Sequence, residues 1–422
     1  MGKSNGRGSE LSAPANGAGD RRELALYLIG TGSWFASHGL QSVLFAWLVT
    51  VHLHESPEKV GLAQSAMLLP MLFFLLVGGA LSDRIGGARL ARIAQAVALL
   101  PVGALALLIS ADGLAYALLV VYALLMGTVG AFVTPARDGM LSQIAGSRIQ
   151  RTVVQASLVQ FGVQIMGFQI AGFTDSLGPV PVLCVQLGLL AVGATAFRML
   201  ERRLAGRPRS EEASAPRVAF SQAIGEGLRT VLASQPMRNV ALINALVGLF
   251  YMGAFQVGLP LLLREVHGGS PAQLAQMNTI HMIGVVATTI WLLRVGDVER
   301  RGRALIAGVV LGGVGLGGMG IATSFTALML CNLIWGVTGG LVMAMARTIM
   351  QEAAPPEARG RVMAFFSLTF MGAGPLGALL SGLLVDAVGV HYALIVPALT
   401  VAALGAIVAL RTSLWRLAPA AP

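Results

Sequence analysis

The chain has 422 residues, of which 55% are hydrophobic and 11% charged, and its net charge is +10. Soluble domains carry about 25% charged residues, so this composition excludes a single water-soluble globule. Mean hydropathy is +0.76, which places most of the chain in lipid rather than in water.

In chain order, residues 1–22 are rich in Gly, Ser and Ala and carry Lys3, Arg7, Arg21 and Arg22. They hold no signal-type apolar core, and they read as a disordered cytoplasmic tail. Apolar runs of bilayer length, about 17–25 residues, then recur twelve times. The first six lie near 24–52, 59–82, 90–111, 113–136, 151–174 and 179–200, and form an N-terminal bundle over 23–200. A charged linker follows at 201–237, with Glu201, Arg202, Arg203, Arg207, Arg209, Glu211 and Glu212. Its later part sets apolar Val218, Phe220, Ile224, Leu228 and Val231 against Gln222, Glu226 and Arg229. That pattern predicts an amphipathic helix lying on the membrane surface. Six further runs, near 238–264, 271–295, 304–323, 325–349, 362–386 and 390–411, form a C-terminal bundle over 238–411. A cytoplasmic tail, 412–422, closes the chain.

Charge distribution fixes the expected topology. With the N-terminus inside, alternation of the twelve runs puts 27 of the 29 Lys and Arg residues on the cytoplasmic side. Only Lys59 and Arg264 fall outside. That is the positive-inside pattern, and it predicts a multi-pass protein of the cytoplasmic (inner) membrane with both termini inside. The basic balance then reflects loops facing anionic lipid and argues against nucleic acid as a partner.

The halves are related. Residues 130–172 align without a gap on 340–382, with identities at Gly130/Gly340, Ala136/Ala346, Arg137/Arg347, Met140/Met350, Arg151/Arg361, Ser157/Ser367, Leu158/Leu368, Gly162/Gly372, Gly167/Gly377 and Gly172/Gly382. Most identities fall on Gly and Arg rather than on the abundant aliphatics. A half-length repeat in a membrane chain predicts two duplicated bundles with a substrate site between them near mid-membrane.

Between the second and third runs stands Gly79-Ala-Leu-Ser-Asp83-Arg84-Ile-Gly86-Gly-Ala-Arg89. Its second-half counterpart, Asp297-Val-Glu299-Arg300-Arg301-Gly302-Arg303, holds the same residue types in altered spacing. Twelve runs in two related sets, a basic linker and this loop resemble the major facilitator superfamily over residues 24–411. The resemblance implies an all-α membrane fold of two pseudo-twofold-related six-helix bundles. It also implies that Gly79 lets a helix approach closely, that Asp83 docks near the N-terminus of helix eleven, that Gly86 permits the turn, and that Arg84 and Arg89 hold the loop inside. By the same resemblance Arg137 pairs with Asp83 and Arg347 with Asp297 across a cytoplasmic gate, with Arg361 at the start of helix eleven. The family's antiporters carry a Gly-Pro in helix five; here Gly167-Phe168 stands at that place, and Gly374-Pro375 lies in the second half. Ser56-Pro57, Val60-Gly61-Leu62, Leu69-Pro70, Thr134-Pro135-Ala136-Arg137 and Pro356-Glu357-Ala-Arg359-Gly360-Arg361-Val362 resemble the enterobactin-exporter and macrolide-efflux branch.

Ionisable residues at mid-membrane are functional candidates by default. No Asp or Glu stands near the middle of a predicted helix; His38 in helix one and His281 in helix eight do. Both are candidates for carrying a proton. Trp34, His38 and Gln41 share one face of helix one, and Asn278 precedes His281 by one turn. Gln160 and Gln164 in helix five, Asn244, Tyr251 and Gln256 in helix seven, and Asn332 and Trp335 in helix ten complete the candidate substrate set. Each also fits plain interhelical packing. Cys184 and Cys331 have no metal-like spacing, no metal or cofactor is expected, and no phosphate-cradling loop or catalytic constellation points to an enzyme. The expectation is a monomeric secondary transporter in contact with membrane lipid. It works by alternating access, exporting a small amphipathic, drug-like or siderophore-type molecule in exchange for protons. An importer or lipid transporter on the same fold, and a non-transporting membrane sensor, are the alternative readings.

Overall fold

A computed structural model describes residues 17–145, 149–205, 220–296, 298–412 and 415. Asp297, most of the N-terminal tail, linker residues 206–219 and nearly all of the C-terminal tail lie outside the described residues. The described residues are helical, with no strand among them.

The twelve crossings follow the expected runs. In the first half, α1 spans Gly17–Trp47 and continues through a π-helical turn, Leu48–His52. It is followed by α2 (Pro57–Ile85), α3 (Gly87–Ser110), α4 (Tyr116–Ala145), α5 (Ile149–Gly172) and α6 (Pro179–Leu204). A linker helix occupies Phe220–Ala233, close to the segment whose apolar spacing predicted it. In the second half, α7 is Gln235–Gly253, a π-helical Ala254–Gly258 and a last stretch Leu259–His267. Next come α8 (Pro271–Val295), α9 (Arg301–Ile321) and α10 (Phe325–Ala353). The run Arg359–Arg411 breaks at Gly389 (φ 81°, ψ 162°), which divides it into α11 (359–388) and α12 (390–411).

Local chemistry explains the boundaries. Pro57, Pro179 and Pro271 stand in the first turns of α2, α6 and α8, where a missing N–H costs nothing. Ser270 and Gln273 form a reciprocal capping box at α8, and Ser324 caps α10. Two turn glycines recur in the second half, the first at the 210-residue register of the duplication and the second one residue beyond it. Gly86 (φ 95°) ends α2 and Gly296 (φ 78°) ends α8; Gly178 (φ 81°) precedes α6 and Gly389 (φ 81°) precedes α12. These left-handed turns favour a residue without Cβ. The same register bears on the loop after α8, whose residue types stand in altered spacing. Gly86 corresponds to Gly296 rather than Gly302, so Leu293 occupies the position of Asp83 and Asp297 is not its positional copy.

Packing repeats in the same way. In the first bundle α1 packs on α5 and α6, α2 on α4, and α3 on α4 and α6. In the second, α8 packs on α10 and α9 on α10, while α7 packs on α11 and α9 on α12. Methyl groups at Gly167 and Gly377 would meet Ala36 O at 2.1 Å and Leu249 O at 2.0 Å, one on α1 and the other on α7. Each bundle thus closes around a glycine that lets two helix backbones touch, the usual device where lipid offers no hydrophobic drive.

Twelve crossings put the ends of the chain and the linker on one face, here the terminal face; the opposite face is the distal one. The bundles meet along two seams, α2 with α11 and α5 with α8. Both seams lie toward the distal face. Gly61 and Gly382 pack Cα to Cα, and Cβ atoms there would lie 2.7 Å from Ala378 O and 2.5 Å from Pro57 O. Ser65 Oγ donates to Pro375 O at 2.6 Å, and Gln169 Nε2 donates to Thr279 Oγ1 at 2.7 Å. Gly172 faces Pro271, Ala272 and Ala275 across the second seam. Toward the terminal face the contact thins, and a Cβ at Gly162 would meet nothing within 4 Å.

Gly167→Ala and Gly377→Ala should each lower stability by about 1–3 kcal/mol, because the added methyl meets backbone that cannot rotate away. Gly162→Ala should be neutral. Thermal unfolding of the purified protein in detergent separates the two outcomes.

Candidate functional site

Where the bundles part, α1, α7 and α8 enclose a cleft. Its walls are Ser42 and Ala46 of α1, Phe255, Gln256, Leu259 and Pro260 of α7, and Leu274, Met277 and Asn278 of α8. Phe255 and Gln256 lie inside the π-helical turn of α7. Such turns occur often at functional sites, since one extra residue re-aims the side chains around it.

Behind this cleft the second bundle holds an aromatic–amide cluster. Asn332 of α10 is fully buried; its Nδ2 donates to Met277 O at 2.8 Å. Its Oδ1 then faces His281 Nδ1 at 3.2 Å. Because the amide nitrogen is committed to a carbonyl, Nδ1 must carry the hydrogen, and Nε2 is left as the second ring nitrogen for other partners. The His281 ring stands 4.9 Å from Trp335 in a T-shaped contact and 5.0 Å from Phe255. Tyr251 meets Trp335 edge-on at 5.5 Å, and its hydroxyl donates to Val309 O at 3.3 Å. Close backbone approach fixes the rung between α8 and α10: a Cβ at Gly336 would lie 2.2 Å from His281 O.

The structure sorts the sequence candidates. His281, Asn332, Trp335 and Tyr251 come together, and Gln256 and Asn278 line the adjoining cleft. On α1, His38 is exposed, whereas Trp34 (8%) and Gln41 (4%) are buried in the first bundle. Gln41 donates to Met67 Sδ at 3.5 Å and accepts from Gln186 Nε2 at 3.3 Å. The cleft position expected for Gln41 is taken by its neighbour Ser42. Asn244 donates to Phe366 O and Thr369 Oγ1, at 3.0 and 2.9 Å, and so joins α7 to α11 rather than facing the cleft. Gln160 and Gln164 are half-buried on α5. Ser42, Ala46, Phe255 and Met277 escaped the sequence reading because small or apolar residues carry no polar signal; Phe255 had only its place beside Gln256.

The loop residues take these places. Gly86 makes the expected turn. Gly79 meets only Pro135 Cβ, at 4.0 Å from a Cβ built there; the close approach is made one residue earlier, at Gly78 against Ala131 O. Asp83 and Arg84 are exposed. Arg89, together with Arg92, faces Glu201 at the end of α6, at 3.9 and 2.8 Å. Arg137 pairs with its neighbour Asp138 at 2.7 Å and stacks over Phe35 at 4.8 Å. Arg347 is exposed. Arg361 pairs with Glu226 of the linker helix and donates to Glu357 O at 2.8 Å.

A sequence profile of the Major Facilitator Superfamily matches residues 27–298 and 241–421. The multidrug efflux pump Tap of Mycolicibacterium fortuitum is 28% identical over 92% of this chain and 95% of its own length. Tap of Mycobacterium tuberculosis strain H37Rv is 28% identical over 94% and 95%. Among solved structures, the nucleoside transporter NupG superposes with a TM-score of 0.70 at 13% identity, covering 92% of this chain and 97% of that one. An auto-inhibited peptide transporter of the POT family gives 0.71 at 16% identity, covering 96% and 98%. A profile that accounts for both bundles, on a fold shared with these transporters, places the chain in the Major Facilitator Superfamily.

Proposed function

We propose that this protein is an efflux transporter of small amphipathic, drug-like molecules, siderophore-type cargo among them, working by alternating access and driven by proton entry. The observation that carries the proposal is the cleft between the bundles, sealed on the distal side and backed by the Phe255, His281, Trp335 and Asn332 cluster. Apolar walls with the amides of Gln256 and Asn278 and the hydroxyl of Ser42 suit an aromatic, weakly polar guest. The cleft wall holds no carboxylate, which favours neutral cargo over cations. Both Tap relatives are named multidrug efflux pumps, in line with this guest class.

The charge pattern makes the terminal face cytoplasmic, so the structure corresponds to an inward-open state that loads cargo from the cell. The moving bodies are residues 23–200 and 238–411, in a monomer surrounded by the lipid of the cytoplasmic membrane. Arg361 and Glu226 tie the linker helix to the second bundle, so that helix travels with it. Asp83, Arg84, Arg137, Arg347 and Arg361 line the side that must close in the outward-open state. Inward proton movement at 100 mV is worth about 2.3 kcal/mol per charge. His38, exposed on α1, and His281, whose Nδ1 faces Asn332, are the carriers proposed to collect it.

In inverted membrane vesicles, an inside-acid gradient should drive uptake of a neutral aromatic dye, and permanent cations should move more slowly. Uptake driven by an inside-alkaline gradient would point to import instead. Trp335→Ala and Asn332→Ala should lower uptake on the order of tenfold, since each strips the cluster of a contact worth about 1–2 kcal/mol. His281→Ala or His38→Ala should flatten the dependence of uptake on the pH gradient; a variant that keeps the full dependence is not the carrier. Asp83→Asn should slow turnover severalfold while leaving dye binding to purified protein unchanged, as expected of a residue that acts only when the cytoplasmic side closes.

A further inference from the structure

We infer that Arg264 is the positioning residue of the distal gate, a fork that holds the mouth of the α1–α2 loop against α7 while the cytoplasmic side is open. This rests on the alternating-access reading above, but not on the identity of the cargo or the coupling ion.

Arg264 and Lys59 are the two basic residues that the charge pattern leaves on the distal side. Lys59 is accounted for within its own bundle. It pairs with Glu55 one turn away at 2.8 Å, stands 5.3 Å from the Tyr116 ring, and is 51% exposed. Arg264 behaves differently. Its side chain is 19% exposed and reaches across to the other bundle. Nη1 donates to two main-chain carbonyls there, Thr50 O at 3.1 Å and Glu55 O at 2.8 Å, while Nη2 faces its neighbour Glu265 at 3.5 Å.

The acceptors exist because of how α1 ends. Its last turn is π-helical, Leu48–His52, and the chain then leaves the helix before α2 begins at Pro57. Thr50 O belongs to the last turn of α1, where carbonyls have no partner within the helix, and Glu55 O lies in the loop beyond it, so both offer oxygens to a nearby donor. The same loop is pressed by Gly269 (φ 71°), where a Cβ would lie 2.9 Å from Val51 Cγ2. Arg264 stands one turn beyond Pro260, which lines the cleft. The fork therefore closes the roof directly above the candidate binding position. Both bonds leave one nitrogen, Nη1, while Nη2 stays with Glu265; a guanidinium is more weakly hydrated than an ammonium, which suits a cation held against two carbonyls in a largely buried joint. When the bundles part on the distal side, fork and carbonyls return to water, so the contact is reversible.

A cross-link that needs no cargo reads the gate. In full-length protein carrying Cys184→Ser and Cys331→Ala, Gln169→Cys and Thr279→Cys place thiols where α5 and α8 already share a hydrogen bond across the seam. A short thiol cross-linker is applied to native membranes. Arg264→Gln should lower the cross-linking rate on the order of tenfold, as expected for loss of charge-assisted hydrogen bonds. Arg264→Lys should lower it less, and Lys59→Gln should leave it unchanged. A rate unchanged in Arg264→Gln overturns the inference, and so does an equal fall in Lys59→Gln. Where Arg264→Gln does not reach the membrane, Arg264→Lys decides, and an unchanged rate in that variant overturns it. Failure of dye uptake with the cross-link pattern intact would instead count against the export reading alone.

Discussion

Backbone touching backbone across the distal seam is the contact on which the rest of the architecture depends. Within a bilayer, helix association gains little from burying apolar surface, because lipid is as apolar as the side chains. What remains is close packing. At Gly61 and Gly382 the two bundles approach until Cα meets Cα, a separation that a side chain would prevent. That seam holds one end of the molecule shut and leaves the cleft open toward the other end. Few side-chain hydrogen bonds cross it, Ser65 to Pro375 O and Gln169 to Thr279 among them, which suits a joint that must part and re-form.

The cleft draws its character from the second bundle more than from the first. Four aromatic or imidazole rings and one fully buried amide stand on α7, α8 and α10, and the hydrogen bond to Met277 O fixes which way the amide points. The first bundle contributes small groups, Ser42 and Ala46, to the same wall. Its own polar residues turn inward: Gln95 Nε2 donates to Gly30 O at 3.0 Å, and Gln41 and Gln186 bond each other. The duplicated halves thus share a frame while dividing the work. One supplies most of the cleft wall and the ring cluster behind it, and the other a polar interior that braces it.

Glycine was the legible part of this sequence. A glycine that meets a neighbouring backbone admits no side chain, so Gly167/Gly377 and Gly172/Gly382 stand out of a chain otherwise full of interchangeable aliphatics. Helix boundaries were legible for a similar reason, since Ser-Pro starts and Gly turns leave few alternatives. The π-helical turns in α1 and α7 were not, because no residue pattern distinguishes them from ordinary helix. Nor was the facing of Gln41: it lies on the same helical face as His38, yet one position of rotation separates the bundle interior from the exposed surface. Long-range ion pairs such as Arg361 with Glu226 depend on where a linker folds back, which periodicity does not encode. Asp297 matched a motif in type but not in register, as its altered spacing already showed, and the turn at Gly296 falls at the register of Gly86.

The oxygens that receive Arg264 belong to the main chain. Every residue type presents such an oxygen, so sequence drift in the α1–α2 loop can change its side chains freely and still present the same two acceptors. All the vulnerability of that contact is concentrated in a single guanidinium. A lock made of peptide and a key made of one side chain leaves selection only one position to guard.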